Sequence, residues 1–274
     1  MTAAVANHEQ TTDAVVLRED IGSVSVLVLN RPRYNAWGPD MSDALSAQLR
    51  DIQHDPRIRG CVLTGAGDKA FSSGVDITKR DAHSSGTAER TLQALGAGDY
   101  PVFADLSAFP KPLVCAVNGH AIGAGFVIAL CSDVVLASDS ASFRMPQVEL
   151  GVMPAFGALA RLALWVGRGR AFEIGVAGKK VTAHEGKDIG LVSAVCQQGD
   201  LRAKAVEAAQ ALADLPPLAY AVAKESLTTT FESAIVQPAA RGDLYRSMAL
   251  RHTADADEAH KAWRERRKPE FHGE

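Results

Sequence analysis

Two glycine-containing turns, each directly after an apolar run, are the features of this sequence best suited to chemistry. The first is FSSGVD at residues 71–76, and the second is NGHAIGAG at residues 118–125. Small residues let the chain turn sharply and let a ligand approach the backbone closely. Backbone N–H groups from two such turns can hold one oxygen atom that gains negative charge, as a thioester oxygen does in an oxyanion hole. Either turn alone is also typical of a plain strand-to-helix connection.

The elements that would position these turns alternate between strands and helices. Residues 15–32 predict a β-hairpin that turns at Ile21–Gly22, and helical spacing follows over residues 35–53. Buried strands are predicted in CVLTGAG and KPLVCAV, a helix in GAGFVIALCSD, and one further strand in VVLASDSASFRM. This repeating order indicates an α/β fold with a mostly parallel sheet. After about residue 200 only helices are predicted, with a break at Pro216–Pro217.

The composition sets limits on the class of protein. The chain has 274 residues, 47% of them hydrophobic and 22% charged, with a formal net charge of −3. A large core is therefore possible, and a nucleic-acid partner is not expected. No apolar run is long enough to cross a membrane, so no membrane span is expected. Residues 1–12 have neither a basic start nor an apolar stretch, so a disordered leader rather than a signal peptide is predicted.

The four cysteines are far apart and include no CxxC pair. They are predicted to be small core residues, which is typical of a reducing compartment and predicts a cytoplasmic location. No histidine cluster has the spacing of a metal site, so no metal is expected. No serine lies in a nucleophile elbow of the kind that Ser-His-Asp hydrolases use.

Taken together, several motifs in this order resemble the crotonase (enoyl-CoA hydratase/isomerase) superfamily. They include LNRP with Asn35–Ala36, then AFSSGVDI, KPLVCAVNGHAIGAG, CSDVVLASDSASF, PQVELGVMPAFGALARL and RERRKPEF. The resemblance implies a spiral of ββα repeats over residues 13–200, which would bind an acyl-CoA. It also implies a C-terminal helical region over residues 201–274 that assembles trimers or hexamers. CoA would enter as part of the substrate, with no separate cofactor.

The resemblance also assigns roles to individual residues. The oxyanion donors would be the backbone N–H groups of Val75 and Ala124, where alanine replaces a more usual glycine but keeps the N–H. A position near the start of a helix would strengthen the donor at Ala124. The predicted substrate-binding residues are Ala36, Ser72, Ser73, Asp76, Ile77, Phe126, Val127, Met153 and Phe156. Ala36, Ser72 and Ser73 would lie near the adenine, whereas Phe126, Val127, Met153 and Phe156 would line the acyl pocket. Asp76 is also typical of a capping residue.

Two departures from the family pattern affect the predicted reaction. Hydratases of this family carry glutamates at the positions of Val127 and Gln147, and the related isomerases keep the second one. Adding water across a double bond requires groups that exchange protons. Valine cannot exchange a proton, and a neutral amide only orients its partners through hydrogen bonds. Ordinary hydration is therefore not expected.

A replacement acid or base is possible within the same stretch. If residues 147–149 are extended, Glu149 faces the same side as Gln147, although a solvated surface glutamate is the alternative. His120, beside the second turn, is either a base or a packed turn residue. Three readings remain: an enzyme with a divergent reaction on an acyl-CoA, a non-catalytic acyl-CoA-binding protein, and a hydratase whose acid has moved to Glu149. The enzyme would be enoyl-CoA hydratase/isomerase-like, as a lyase, isomerase or hydrolase.

Overall fold

The computed structural model describes residues 14–75 and 102–273, and these form an α/β fold around a six-stranded sheet. The order of this main sheet is β1-β2-β3-β5-β7-β10. Its strands are β1 (Val16–Ile21), β2 (Val24–Leu29), β3 (Gly60–Gly65), β5 (Leu113–Val117), β7 (Val134–Ser138) and β10 (Ala194–Cys196). The predicted hairpin is confirmed, because β1 and β2 pair antiparallel, and every later pair is parallel.

A second sheet of four short strands lies beside the main one. It contains β4 (Ala70–Ser72), β6 (His120–Ile122), β8 (Ser142–Arg144) and β9 (Val181–Thr182), in the order β4-β6-β8-β9. Each of β4, β6 and β8 follows a main-sheet strand within a few residues, so every turn of the spiral gives one strand to each sheet. The prediction of a single strand over residues 134–145 is wrong. A turn closed by the Ala141 N–H and the Ser138 carbonyl (3.0 Å) separates β7 from β8.

The helices of the spiral pack in the larger of the two clusters of buried apolar residues. They are α1 (Pro39–His54), α2 (Val102–Ala108), α3 (Ala124–Leu130), α4 (Ala158–Val166), α5 (Arg168–Ala171) and α6 (Ala183–Asp188). The first begins as its sequence predicts, with Pro39 in its first turn, where the missing N–H costs no hydrogen bond. Met41, Leu45, Leu49 and Ile52 recur at helical spacing and are all buried.

Helices alone follow β10 in the described part of the chain. They are α7 (Leu201–Ala213), α8 (Pro217–Phe231), α9 (Gln237–Leu250) and α10 (Ala254–Glu265). The predicted break at Pro216–Pro217 separates α7 from α8. Leu201, Ala205 and Ala209 of α7 pack on Val24, Val26 and Val62 of the sheet. The first helix beyond residue 200 thus covers one face of the main sheet.

The predicted α/β spiral with a C-terminal helical region is confirmed by this topology. All four cysteines are buried and free, as expected for core residues. Burial raises the pKa of the Cys61 thiol to about 12, so this thiol is a poor nucleophile. No helix in the described ranges is long and apolar enough to cross a membrane. The predicted leader at residues 1–12 lies outside the described residues.

Candidate active site

The two glycine turns predicted from sequence meet in the structure. Gly74 has φ +81°, and a methyl group built on it would lie 2.7 Å from the Ile122 carbonyl oxygen and 3.5 Å from the Ala124 nitrogen. A residue with a side chain would be strained by both its backbone angle and this close contact. Glycine at position 74 therefore brings the loop before Val75 against the turn before Ala124.

The backbone N–H groups of Val75 and Ala124 are the two donors predicted from the sequence. Within the described residues, neither N–H donates a hydrogen bond to the protein. Ala124 is the first residue of α3, where helix geometry provides no acceptor for its N–H. Val75 is partly exposed, whereas Ala124 is buried. Two adjoining donors of this kind can hold one anionic oxygen.

Two buried asparagines hold the connection between β3 and β4, which leads into the first turn, and sequence reasoning did not assign them this role. The Asn35 amide donates to the carbonyl oxygens of Ala66 and Ala70, both at 3.0 Å. The Asn118 carbonyl accepts from the Gly65 N–H at 3.0 Å, and its amide donates to Gly67 at 2.8 Å. Buried backbone groups need such partners. The signal in the sequence was an asparagine next to a turn after each apolar run.

Three of the residues expected to contact CoA, Ala36, Ser72 and Ser73, lie close together. The Ser72 hydroxyl donates to the Asn35 carbonyl at 2.8 Å, and the Ser73 N–H donates to the Tyr34 carbonyl at 2.9 Å. The turn through Ala36 therefore runs alongside Ser72 and Ser73, as the predicted binding surface requires. Contact with an adenine stays a prediction. Asp76 and Ile77 lie outside the described residues.

Gln147 lies against the second turn. A methyl group built on Gly123 would be 3.0 Å from the Gln147 amide nitrogen and 4.0 Å from the Gly74 Cα, so these three residues meet. The Gln147 carbonyl oxygen Oε1 is buried, and no donor in the described ranges reaches it. A buried acceptor without a partner calls for an explanation, such as a ligand or a water. The amide side chain is thus placed beside the Ala124 donor.

The residues predicted to line the acyl pocket are buried or half-buried. Val127 is buried in α3, one turn after the Ala124 donor. Phe126 is fully buried and its ring lies 5.2 Å from that of Phe143, whereas Phe156 stacks on Phe103 at 4.5 Å. Met153 is half-buried. Their contact with an acyl chain stays a prediction.

Residues 147–149 are not extended, so the condition under which Glu149 would share a face with Gln147 is not met. Val148–Leu150 forms a 3₁₀ helix, and Gln147 has helical backbone angles. Two positions apart on a 3₁₀ helix point in different directions, because each residue turns the chain by about 120°. Both oxygens of the Glu149 carboxylate instead accept from Arg144 Nη2, at 2.7 and 2.9 Å. Glu149 and Gln147 therefore do not face the same side. The structure does not support the predicted role of Glu149 as the replacement acid.

The other candidate acid–base group from the sequence is His120. His120 is exposed, and its Nδ1 lies 2.8 Å from the Ser142 hydroxyl. No cluster of His, Cys, Asp or Glu in the described ranges is arranged to hold a metal ion. The side chain that the structure brings against the second turn is therefore the neutral amide of Gln147.

Comparison with known proteins places the whole chain in one family. The family described as Enoyl-CoA hydratase/isomerase matches residues 19–274. A carnitinyl-CoA dehydratase of Escherichia coli (strain K12) is 33% identical over 256 residues, which cover 92% of this chain and 96% of that protein. The solved structure of an enoyl-CoA hydratase/isomerase from Pseudoalteromonas atlantica T6c has a TM-score of 0.83 and 30% identity, covering 94% of this chain and 100% of that one. A carnitinyl-CoA dehydratase from Mycobacterium avium 104 has a TM-score of 0.80 and 30% identity, with 95% and 99% covered. The chain therefore belongs to the enoyl-CoA hydratase/isomerase family, the crotonase superfamily, and has its fold.

Proposed function

We propose that this chain is an enzyme that binds an acyl-CoA with the thioester oxygen between the N–H groups of Val75 and Ala124. The observation that carries the proposal is that these two adjoining N–H groups have no acceptor among the described residues. Family membership and relatives named for CoA thioesters support the same substrate class. One donor of an oxyanion hole contributes about 3–4 kcal/mol to stabilising the transition state.

The reaction proposed is a divergent one rather than plain hydration. Val127 and Gln147 occupy the positions beside the donors, and neither side chain exchanges protons near neutral pH. The hole would still stabilise an enolate or a tetrahedral oxyanion, while the Gln147 amide orients a water or a substrate group. Hydrolysis, carbon–carbon cleavage or a specialised lyase step fits this combination. A non-catalytic acyl-CoA-binding protein is the alternative, because the same residues would bind the ester without turning it over.

The test is to incubate the purified protein in D₂O with a panel of CoA thioesters and to follow each by mass spectrometry. The panel includes saturated, 2-enoyl, 3-enoyl, 3-oxo and 3-hydroxy esters, with carnitinyl-CoA because relatives are named for it. Release of CoA or of a shorter acyl-CoA supports the proposal, as does deuterium uptake without addition of water. Addition of water would overturn the divergent reaction. Binding without any change would favour the non-catalytic protein.

A paired substitution tests whether only the acids are missing. We expect Val127→Glu with Gln147→Glu to raise hydration of a 2-enoyl-CoA by about 100-fold or more, the usual contribution of positioned acid–base groups. Glu149→Gln is the matched control, and it should leave every activity of the wild-type protein unchanged. Circular dichroism would confirm that the variants fold. If the folded double variant gains nothing, the pocket differs from that of a hydratase in more than these two residues.

A further inference from the structure

The side chain of Ser72 lies between the two turns that carry the predicted oxyanion donors. Its exposed fraction is 0%, so the hydroxyl has no contact with solvent. The hydroxyl donates to the Asn35 carbonyl at 2.8 Å and accepts from the Gly74 N–H at 3.2 Å. A serine hydroxyl has one proton to donate, so its donor is already used within the protein. The Ser72 side chain is therefore placed to hold the backbone rather than to bind a ligand.

Both backbone groups of Gly74 are fixed by hydrogen bonds. Its N–H donates to the Ser72 hydroxyl, and its carbonyl accepts from the Trp37 N–H at 2.7 Å. Glycine adopts positive φ as readily as negative φ, so the φ of +81° at Gly74 depends on such contacts. The N–H of Val75 belongs to the same planar peptide as the Gly74 carbonyl and points the opposite way. The direction of the Val75 N–H is thus set by the two bonds that hold Gly74.

Ser72 also contacts the second turn. A methyl group built on Gly125 would lie 2.7 Å from the Ser72 Cβ and 3.1 Å from its Oγ. Gly125 directly follows the Ala124 donor in α3. Glycine at position 125 therefore lets this side chain pack against the first turn of the helix. One side chain thus touches the helix that carries one donor and bonds to the residue before the other.

The loop that accepts the Ser72 proton has a strained backbone. Arg33, Tyr34 and Asn35 have φ of +62°, +76° and +53°, values that residues with a side chain adopt only uncommonly. Strain of this kind persists only where the surrounding structure holds it, and it concentrates at functional sites. Here the Ser72 hydroxyl bonds to the Asn35 carbonyl, and the Ser73 N–H bonds to the Tyr34 carbonyl at 2.9 Å. The Ser72 hydroxyl therefore connects this loop to Gly74.

We infer that Ser72 is a positioning residue of the oxyanion hole, because its hydroxyl directs the Val75 N–H toward the oxygen that the Ala124 N–H also binds. This inference rests on the proposed function, since it requires a thioester oxygen between the two donors. Without the hydroxyl, the Gly74 N–H loses its acceptor, and a glycine can rotate at little steric cost. The fold and the acyl-CoA surface would remain, whereas one of the two donors would be misdirected.

Isotope-edited infrared spectroscopy of a bound thioester measures this effect directly. The probes are butyryl-CoA and octanoyl-CoA that carry ¹³C at the thioester carbonyl, each at a saturating concentration. Hydrogen bonds polarise a carbonyl and lower its stretching frequency, so binding to the wild-type protein should shift the band to lower wavenumber. We expect Ser72→Ala to lose about half of that shift, because one of the two donors is misdirected. Ser72→Cys keeps a weaker donor and acceptor of similar size, so its shift should lie between those of the wild-type protein and Ser72→Ala.

Ser25→Ala is the matched control for this measurement. Ser25 is also fully buried, and its hydroxyl donates to the Asp20 carboxylate at 2.7 Å in the main sheet. The band reports only on the bound ester, so a loss of stability common to both alanine variants leaves it unchanged, and Ser25→Ala should keep the wild-type shift. A full wild-type shift in folded Ser72→Ala, or in Ser72→Cys if the alanine variant does not fold, would overturn the inference while leaving the proposed function intact. Absence of a shift on binding to the wild-type protein, or failure of both esters to bind, would overturn the proposed function and this inference with it.

Discussion

At the scale of single residues, the proposed site consists of the backbone N–H groups of Val75 and Ala124 and of the residues beside them. The Gly74 and Gly123 turns meet, and the Gln147 amide lies against the second. Val127 is buried on the same helix as the Ala124 donor. Because the donors belong to the backbone, ordinary side-chain substitutions cannot remove them. Proline can, because it has no N–H.

Ala124→Pro is therefore the most direct test of the oxyanion hole. Ala124 is the first residue of α3, a position that tolerates proline. We expect turnover of the substrate found in the panel to fall by about 100- to 1,000-fold, as for other oxyanion donors. Ala254→Pro makes the same change at the first residue of α10 and should leave turnover unchanged. Wild-type turnover by a folded Ala124→Pro protein would remove Ala124 from the mechanism.

At the scale of elements, a half-buried ion pair attaches α8 to the body. The Asp133 carboxylate accepts from Lys224 Nζ at 2.7 Å, from the Tyr220 hydroxyl at 3.0 Å and from the Leu113 N–H at 2.8 Å. The side chain of Lys224 is only 11% exposed. Desolvation lowers the pKa of Lys224, although Asp133 opposes that effect. Donors from α8 and from β5 thus converge on one carboxylate, which lies between α3 and β7.

Lys224→Met should loosen α8. Removing one partner leaves a poorly solvated carboxylate, so we expect the free energy of unfolding to fall by about 3 kcal/mol. Hydrogen exchange should increase across residues 217–231 more than across α1. Lys204→Met changes an exposed lysine of α7 and should have little effect on either measurement. Equal exchange in both variants would show that the ion pair does not attach α8.

A second contact at this scale holds the end of the chain on α10. Arg267 donates to Glu258, and the Glu270 N–H donates to the same carboxylate at 3.1 Å. The Arg267 guanidinium lowers the pKa of Glu258 from 4.5 to about 2. A carboxyl whose pKa is lowered by folding contributes stability above the unfolded pKa, and that contribution is lost as pH falls through the folded one.

Because folding lowers the pKa of Glu258, the stability that this contact contributes should depend on pH. The urea midpoint of wild-type protein should exceed that of Glu258→Gln by a constant amount above about pH 4.5. The difference should shrink as pH falls from 4.5 towards 2. Asp214→Asn, at an exposed carboxylate that ends α7, serves as the control for loss of a charge. A difference independent of pH would show that the Glu258 carboxylate makes no such contribution.

At the scale of the whole molecule, α8 exposes large apolar side chains to solvent. Leu218 is 81% exposed, Val222 64% and Leu227 66%, and no residue of this helix is buried. Exposed apolar surfaces of this kind are typical of protein–protein contacts. The resemblance implies trimers or hexamers, and we propose that α8 contributes to that assembly.

Light scattering after size exclusion measures the assembly directly. We expect the wild-type protein to elute as a trimer or hexamer, and Leu218→Glu with Val222→Glu to shift it towards the monomer, because burying two carboxylates is unfavourable. Thr229→Glu adds a charge at an exposed polar position of the same helix and should leave the mass unchanged. A wild-type monomer, or a double variant of unchanged mass, would contradict the proposal.

The sequence by itself predicted the hairpin, the next three strands of the main sheet, the break at Pro216–Pro217 and the family, and it has valine at position 127 and glutamine at position 147. These properties are local, because periodicity, turn residues and residue identity at a motif position are all read along the chain. It did not determine the second sheet, since strands of two or three residues leave no periodic signal in the sequence.

Only the tertiary structure decided what each side chain contacts. It joined Glu149 to Arg144 instead of to the site, brought Gln147 to Gly123, and paired Asp133 with Lys224. Asp133 and Lys224 are 91 positions apart. Such contacts depend on how separate elements pack, and no local pattern encodes the distance between two residues so far apart in the chain.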